Sequence, residues 1–154
     1  MSIRPAREAD IPVLQELLKE ILLVHHEARP DLFQSQGQKF SEADLKELLK
    51  KPDCPVFVYE EDGQVLGHLF CEIRVPDASV RKPVKALFIE DLCVAKAARG
   101  KGIGQKLYQF VLDYAKEIGC YHLTLNVWND NQGALHFYEK MGMAPQQTQM
   151  EICL

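Results

Sequence analysis

Apolar residues recur at helical spacing from Glu8 to about Val24, with Ile11, Leu14, Leu17, Leu18, Ile21 and Leu22 on one face. Ahead of them, Ser2 to Arg4 forms a short first strand before Pro5. From His25 to Lys39 the periodicity stops, and Pro30 and Gly37 appear, which predicts a long loop. Long loops in compact domains are often functional. Ser41, with Asp44 three residues on, reads as a capped helix start. Leu45, Leu48 and Leu49 give that helix its apolar stripe, and Pro52 ends it.

The period then changes. Val56 to Tyr59 and Val65 to Val75 are rich in strand formers, and Glu61-Asp62-Gly63 between them signals a hairpin turn. A polar loop, Pro76 to Pro83, leads to Ala86–Val94, apolar except for Glu90 and Asp91. Such a run predicts a central strand covered on both faces. Gly104 to Ile118 is strongly amphipathic through Leu107, Phe110, Val111, Tyr114 and Ile118, and Gly119 stops it. His122 to Val127 predicts another strand, and Asn131 to Met141 a helix with an Asn cap and Gly142 after it. Gln149 to Leu154 predicts a last strand. Strands alternating with helices in this way predict one α/β domain over residues 1–154, a mixed sheet with helices on both faces.

Composition narrows the function. The 154 residues suit one domain with an ordinary core, and neither disulfides nor a metal are needed to hold it. A net charge of −4 argues against a nucleic-acid-binding surface and tolerates cationic substrates. The five cysteines are scattered with no C-x-x-C pair, which excludes zinc-site and redox-motif readings and predicts reduced thiols in the cytoplasm. No apolar run is long enough for a membrane span, and none follows Arg4 as a signal peptide requires.

The most specific stretch is Leu92-Cys93-Val94-Ala95-Lys96-Ala97-Ala98-Arg99-Gly100-Lys101-Gly102-Ile103-Gly104. A strand ends, a short loop follows, and alternate glycines open a long helix. A helix start presents unpaired N–H groups and the positive end of the dipole. Glycines let a bulky anion reach them, and Arg99 and Lys101 add charge, so the segment reads as a pyrophosphate cradle. A Walker loop is excluded because no Ser or Thr follows a Gly-Lys, and a dinucleotide fingerprint because the spacing is G-x-G-x-G. A purely structural turn needs one glycine here, not three.

Arg99-x-x-Gly102-x-Gly104 resembles the acetyl-CoA signature of the GNAT N-acetyltransferases, with Leu92 and Val94 as its upstream strand. Asn131-x-x-Ala134-x-x-Phe137-Tyr138 resembles the second conserved block of the same family, and the opening Ile3-Arg4-Pro5-Ala6 is similar to a family start. Leu87 to Leu92 resembles the diamine acetyltransferase branch. The resemblance implies a mostly antiparallel mixed sheet and direct acetyl transfer from acetyl-CoA to a primary amine through a tetrahedral intermediate, with no metal. It implies that Arg99, Gly100, Lys101, Gly102, Ile103 and Gly104 hold the pyrophosphate by backbone N–H groups. Leu92, Cys93 and Val94 would hold the pantetheine arm like an added strand, the N–H of Leu92 or Cys93 polarising the thioester carbonyl, and Asn131 would touch the arm. Tyr138 would protonate the departing thiolate; without the resemblance it reads as a core residue.

A base is also needed. An amine of ordinary pKa about 10.4 costs about 4.6 kcal/mol to deprotonate at pH 7. Glu90 and Asp91 are the charges in the central strand, and charges there want a purpose. Side-chain alternation sends Glu90 with Phe88, Leu92 and Val94, and Asp91 with Ile89 and Cys93, unless a bulge resets the parity. The branch resemblance selects Glu90 as the base and leaves Asp91 to pair with a cation or cap a loop. His25 and His26 read as solvated helix-end residues, Glu27 and Asp31 as surface charges, and Cys93 as a buried, inert thiol. Trp128 shapes the acceptor pocket or is simply structural. The acceptor is a small cationic amine or a peptide amine, and a homodimer is expected. The alternative is a catalytically silent acyl-CoA-binding sensor or regulatory domain.

Overall fold

The computed structural model describes residues 1–77 and 79–154. Nine helices and strands follow one another as β1 (Ser2–Pro5), α1 (Ile11–Ala28), α2 (Glu42–Leu48), β2 (Val56–Glu61), β3 (Gln64–Arg74), β4 (Ala86–Val94), α3 (Ile103–Glu117), β5 (His122–Leu125) and α4 (Gln132–Lys140), with short 3₁₀ turns at Glu8–Asp10 and Lys96–Ala98. The sheet runs in the order β1-β2-β3-β4-β5. β1 to β4 are antiparallel neighbours, and β4 and β5 are parallel, joined by a crossover through α3. The fold is therefore the expected mixed, mostly antiparallel sheet.

Local chemistry accounts for the element ends. The Ser41 hydroxyl accepts from the Asp44 N–H while the Asp44 carboxylate accepts from the Ser41 N–H, a complete capping box. Asp62 and Gly63 both have positive φ, 53° and 75°, which builds the two-residue hairpin between β2 and β3. Two apolar layers flank the sheet. On one face Ile103, Leu107 and Val111 of α3 pack on Tyr59, Leu69, Leu87 and Ile89. On the other, Ile11, Leu14 and Leu18 of α1 pack with Leu45, Val58 and Phe70. The Arg4 guanidinium ties β1 to Asp10 at 2.8 Å and holds that carboxyl below its usual range.

Three expectations need correcting. The first helix begins at Ile11 rather than Glu8 and runs to Ala28, so His25 and His26 lie on its last turn and not in a loop. Nothing before Pro30 breaks the helix, although its apolar periodicity has faded. The fifth strand ends at Leu125, not Val127. The predicted last strand is absent: Gln149 to Leu154 has no regular structure, and Met150, Ile152 and Leu154 are exposed. Alternating apolar residues become a strand only beside a sheet edge, and this segment pairs with none.

At Gly67 of β3 a Cβ would stand 2.9 Å from the Cys93 carbonyl oxygen of β4 and 3.1 Å from Leu107. Gly67→Ala must push β3 away from β4. The expected cost is roughly 1–3 kcal/mol of overpacking, read as a lower urea midpoint; an unchanged midpoint would show that the strands have slack there.

Candidate functional site

The strand β4 is paired on both sides only along its first half. Its parallel ladder with β5 runs from Ala86↔His122 to Ile89↔Leu125 and stops. Beyond that point β4 continues to Val94 against β3 alone. The backbone groups of residues 90–94 that would face β5 therefore face a groove, walled by Leu125 to Trp128 and by Asn131, Ala134 and Tyr138. This is the place at which Leu92, Cys93 and Val94 are expected to hold an extended chain.

At one end of the groove, α3 begins. Its N-cap is Gly102 in the left-handed conformation, φ 80°, with no side-chain cap. Gly100 is also left-handed, φ 82°, and a Cβ at either glycine would meet nothing within 4 Å. The start of α3 therefore leaves open space around Gly100 and Gly102, next to the exposed Arg99 and Lys101. By contrast, α2 and α4 both have side-chain caps, the latter from Asn131 Oδ1 accepting the Ala134 N–H at 3.2 Å. An uncapped, glycine-lined helix start with two cations fits a pyrophosphate.

At the middle of the groove, the β3–β4 register shifts. Phe70 faces Asp91 while Cys71 faces Ile89, so Glu90 is the extra residue of a bulge. The bulge resets the alternation. Leu87, Ile89, Leu92 and Val94 all face the α3 layer. Asp91 shares Phe70's face, and Cys93 donates its thiol to the Leu17 carbonyl of α1 at 3.6 Å. Glu90 and Asp91 therefore both turn toward α1, which corrects the simple parity expectation.

Their environments differ. Glu90 is exposed, its side chain 41% accessible, with Lys39 Nζ 3.5 Å away. Asp91 is buried, 9% exposed. Both line the groove beside Tyr138 and also floor a second cavity of about 420 Å³ between α1 and the segment after it. The walls of that cavity are largely apolar, from Leu18, Ile21, Leu22, Leu32 and Phe33, with Gln34, Gln36, Gln38 and Lys39 opposite. One cavity thus opens onto the other across the two carboxylates.

Tyr138 lies on α4, with Tyr108 of α3 6.5 Å away between ring centroids. Burial, reinforced by the Asp91 charge, raises its pKa, so the phenol keeps its proton at neutral pH. Burial also pushes the Cys93 thiol up to about 12, which makes it inert, as expected. His25 departs from expectation. It stacks on Phe33 at 5.0 Å, its Nδ1 is buried without a partner among the described residues, and burial lowers its pKa. Trp128 packs edge-on against Phe33 and carries Arg29 over its ring at 5.7 Å. Arg29 also pairs with Asp31, Asp130 and Glu151, tying the end of α1 to α4's approach and to the final segment.

Residues 20–143 match the family model of the acetyltransferase (GNAT) family. The chain belongs to the GNAT acetyltransferase family. The N-acetyltransferase YhfO of Bacillus subtilis is 31% identical over 100% of this chain and 97% of its own. The BH1408 protein of Bacillus halodurans, solved as a point mutant, superposes with a TM-score of 0.94 at 25% identity over 100% of this chain and 99% of that one. An aminoglycoside N-acetyltransferase, AAC(6')-Iy, solved in complex with CoA, shares the fold at TM-score 0.74 and 16% identity, covering 99% of this chain and 98% of that one. Against three other curated relatives the chain spans only 31%, 50% and 49% of their length.

Sequence reasoning misses two residues that the structure places beside the paired carboxylates. Lys39 reads as a loop residue with no role, and its ion pair with Glu90 is purely tertiary. His68 is inconspicuous inside Val65–Val75, although it is the one ionisable residue of the apolar stretch from Val65 to Phe70. It is fully buried beside Asp91.

Proposed function

We propose that this chain is an N-acetyltransferase that moves the acetyl group from acetyl-CoA directly to a small primary amine. The observation that carries the reading is the groove left where β5 stops at Leu125, because it joins a glycine-capped helix start to a cavity floored by carboxylates. A similarly folded aminoglycoside N-acetyltransferase solved with CoA supports the cofactor assignment.

In this reading the backbone N–H groups from Arg99 to Gly104 bind the pyrophosphate. Leu92 to Val94 bind the pantetheine arm along the open edge of β4, with Asn131 on the opposite wall. The N–H of Leu92 or Cys93 polarises the thioester carbonyl. The acceptor ammonium enters the larger cavity, displaces Lys39 from Glu90, and gives that carboxylate its proton directly or through water. The amine attacks, and Tyr138 protonates the leaving thiolate. The free thiols support a cytoplasmic setting. The bare Met150, Ile152 and Leu154 support a homodimer that covers them.

The acceptor is proposed to be a small cationic amine with an apolar body, since the cavity offers apolar walls and carboxylates at one end. The test is acetyl-CoA turnover with phenethylamine, spermidine, leucine, kanamycin and a tetrapeptide in one format. Phenethylamine is expected to have the highest kcat/KM. A preference for spermidine or kanamycin contradicts the acceptor class, and acetyl-CoA binding with no turnover on any of the five contradicts the enzyme and favours an acyl-CoA sensor.

Tyr138→Phe keeps the ring and removes only the proton donor. Acetyl-CoA affinity and folding should hold, while the chemical step slows by roughly 10²–10⁴. Single-turnover kinetics separate that step from product release. A chemical step as fast as wild type would make Tyr138 a packing residue.

A further inference from the structure

His68 sits on β3 directly behind the reaction groove, fully buried, and neither ring nitrogen has a hydrogen-bond partner among the described residues. Two unpartnered nitrogens in an apolar interior are costly, and an apolar side chain of similar volume would avoid the cost. Its Nε2 stands 3.6 Å from Asp91 Oδ2. That is longer than a hydrogen bond, and catalytic contacts of this kind often tighten only in the bound complex. Phe70 packs edge-on against the ring, with centroids 4.8 Å apart.

The titratable groups around the pair come from four directions. Glu90 and Cys93 lie on β4, His25 on α1, Lys39 on the segment after it, and Tyr138 on α4. Glu90 is turned outward to Lys39. The thiol of Cys93 and the phenol of Tyr138 both hold their protons firmly. Asp91 is thus the group that faces His68 on one side and the groove with Tyr138 on the other.

We infer that Asp91 and His68 together accept the second of the two protons the acceptor nitrogen gives up, with His68 as the positioning residue that holds it. The inference rests on the amine acetyltransferase reading. An ammonium becoming an amide loses two protons. The first forms the free amine and leaves through the exposed Glu90 to solvent. The nitrogen then attacks the thioester carbon, and the new N–C bond leaves a positive nitrogen beside a negative oxygen. Asp91 takes the N–H proton and passes it to His68 Nε2. The C–S bond breaks as the carbonyl reforms, and Tyr138 gives its proton to sulfur. The proton stored on the pair returns to the Tyr138 oxygen. One proton has gone to solvent and one has moved from nitrogen to sulfur, with every group restored.

The experiment uses the full chain, acetyl-CoA and the fastest of the five amines. His68→Gln should lower kcat roughly 10–100-fold, at or below the low end of the 10²–10⁴ that a positioned acid–base group is worth, because Asp91 remains to take the proton, with KM little changed. The loss should fall on kcat and leave acetyl-CoA affinity as in the wild type, a split that a merely structural defect would not produce. A folded His68→Gln enzyme with unaltered kcat, or one whose acetyl-CoA affinity falls in step with kcat, overturns the inference. Should that variant not fold, proton NMR on wild type with acetyl-CoA reads the pair directly. A low-field imidazole proton lost in Asp91→Asn is expected, and its persistence in Asp91→Asn overturns the pairing. Absence of turnover in wild type with every amine overturns the enzyme reading instead, and the NMR result stands apart from it.

Discussion

The site depends on one discontinuity in the backbone hydrogen-bond ladder of β4. Glu90 has no partner on β3, where a bulge skips it, and none on β5, whose pairing ends one residue earlier at Ile89↔Leu125. A strand interior normally satisfies its backbone groups on both sides. Here the bulge turns two successive carboxylates to one face, and the missing neighbour leaves four further residues of β4 with an open edge. A groove, a backbone template and two acids arise together from a single break in regularity. Bulges next to active sites commonly re-aim side chains in this way.

Burial then separates the two acids. Glu90 faces solvent and Lys39, while Asp91 is shut in with His68. Paired carboxylates in unlike surroundings take unlike roles, because solvent screens one charge and not the other. Tyr138 feels Asp91 across the groove, and burial with that charge keeps the phenol protonated, as a general acid requires.

Much of this was legible in the chain because it is local. The bounds of β4, Ala86–Val94, follow from apolar continuity, and the caps at Ser41 and Asn131 from side-chain chemistry three residues deep. Glycine spacing places the start of α3 within two residues, read at Gly104 and found with its cap at Gly102. The unread parts are non-local. The α1 extension to Ala28 is polar on its surface, so periodicity does not carry it. The bulge at Glu90 is a property of register between strands, and no single strand encodes it. His68 gains meaning only from Asp91, which is 23 residues away in the chain and adjacent in the sheet. The final segment alternates like a strand yet pairs with no strand of the sheet.

The central claim is that the open edge of β4 and the glycine-capped start of α3 together receive acetyl-CoA. Amide hydrogen exchange with and without acetyl-CoA tests it most directly. Residues 92–94 and 102–105 should gain protection on binding, with β1 and β2, on the far side of the sheet, unchanged. Protection that falls elsewhere, or binding that leaves both segments exchanging as before, contradicts the account.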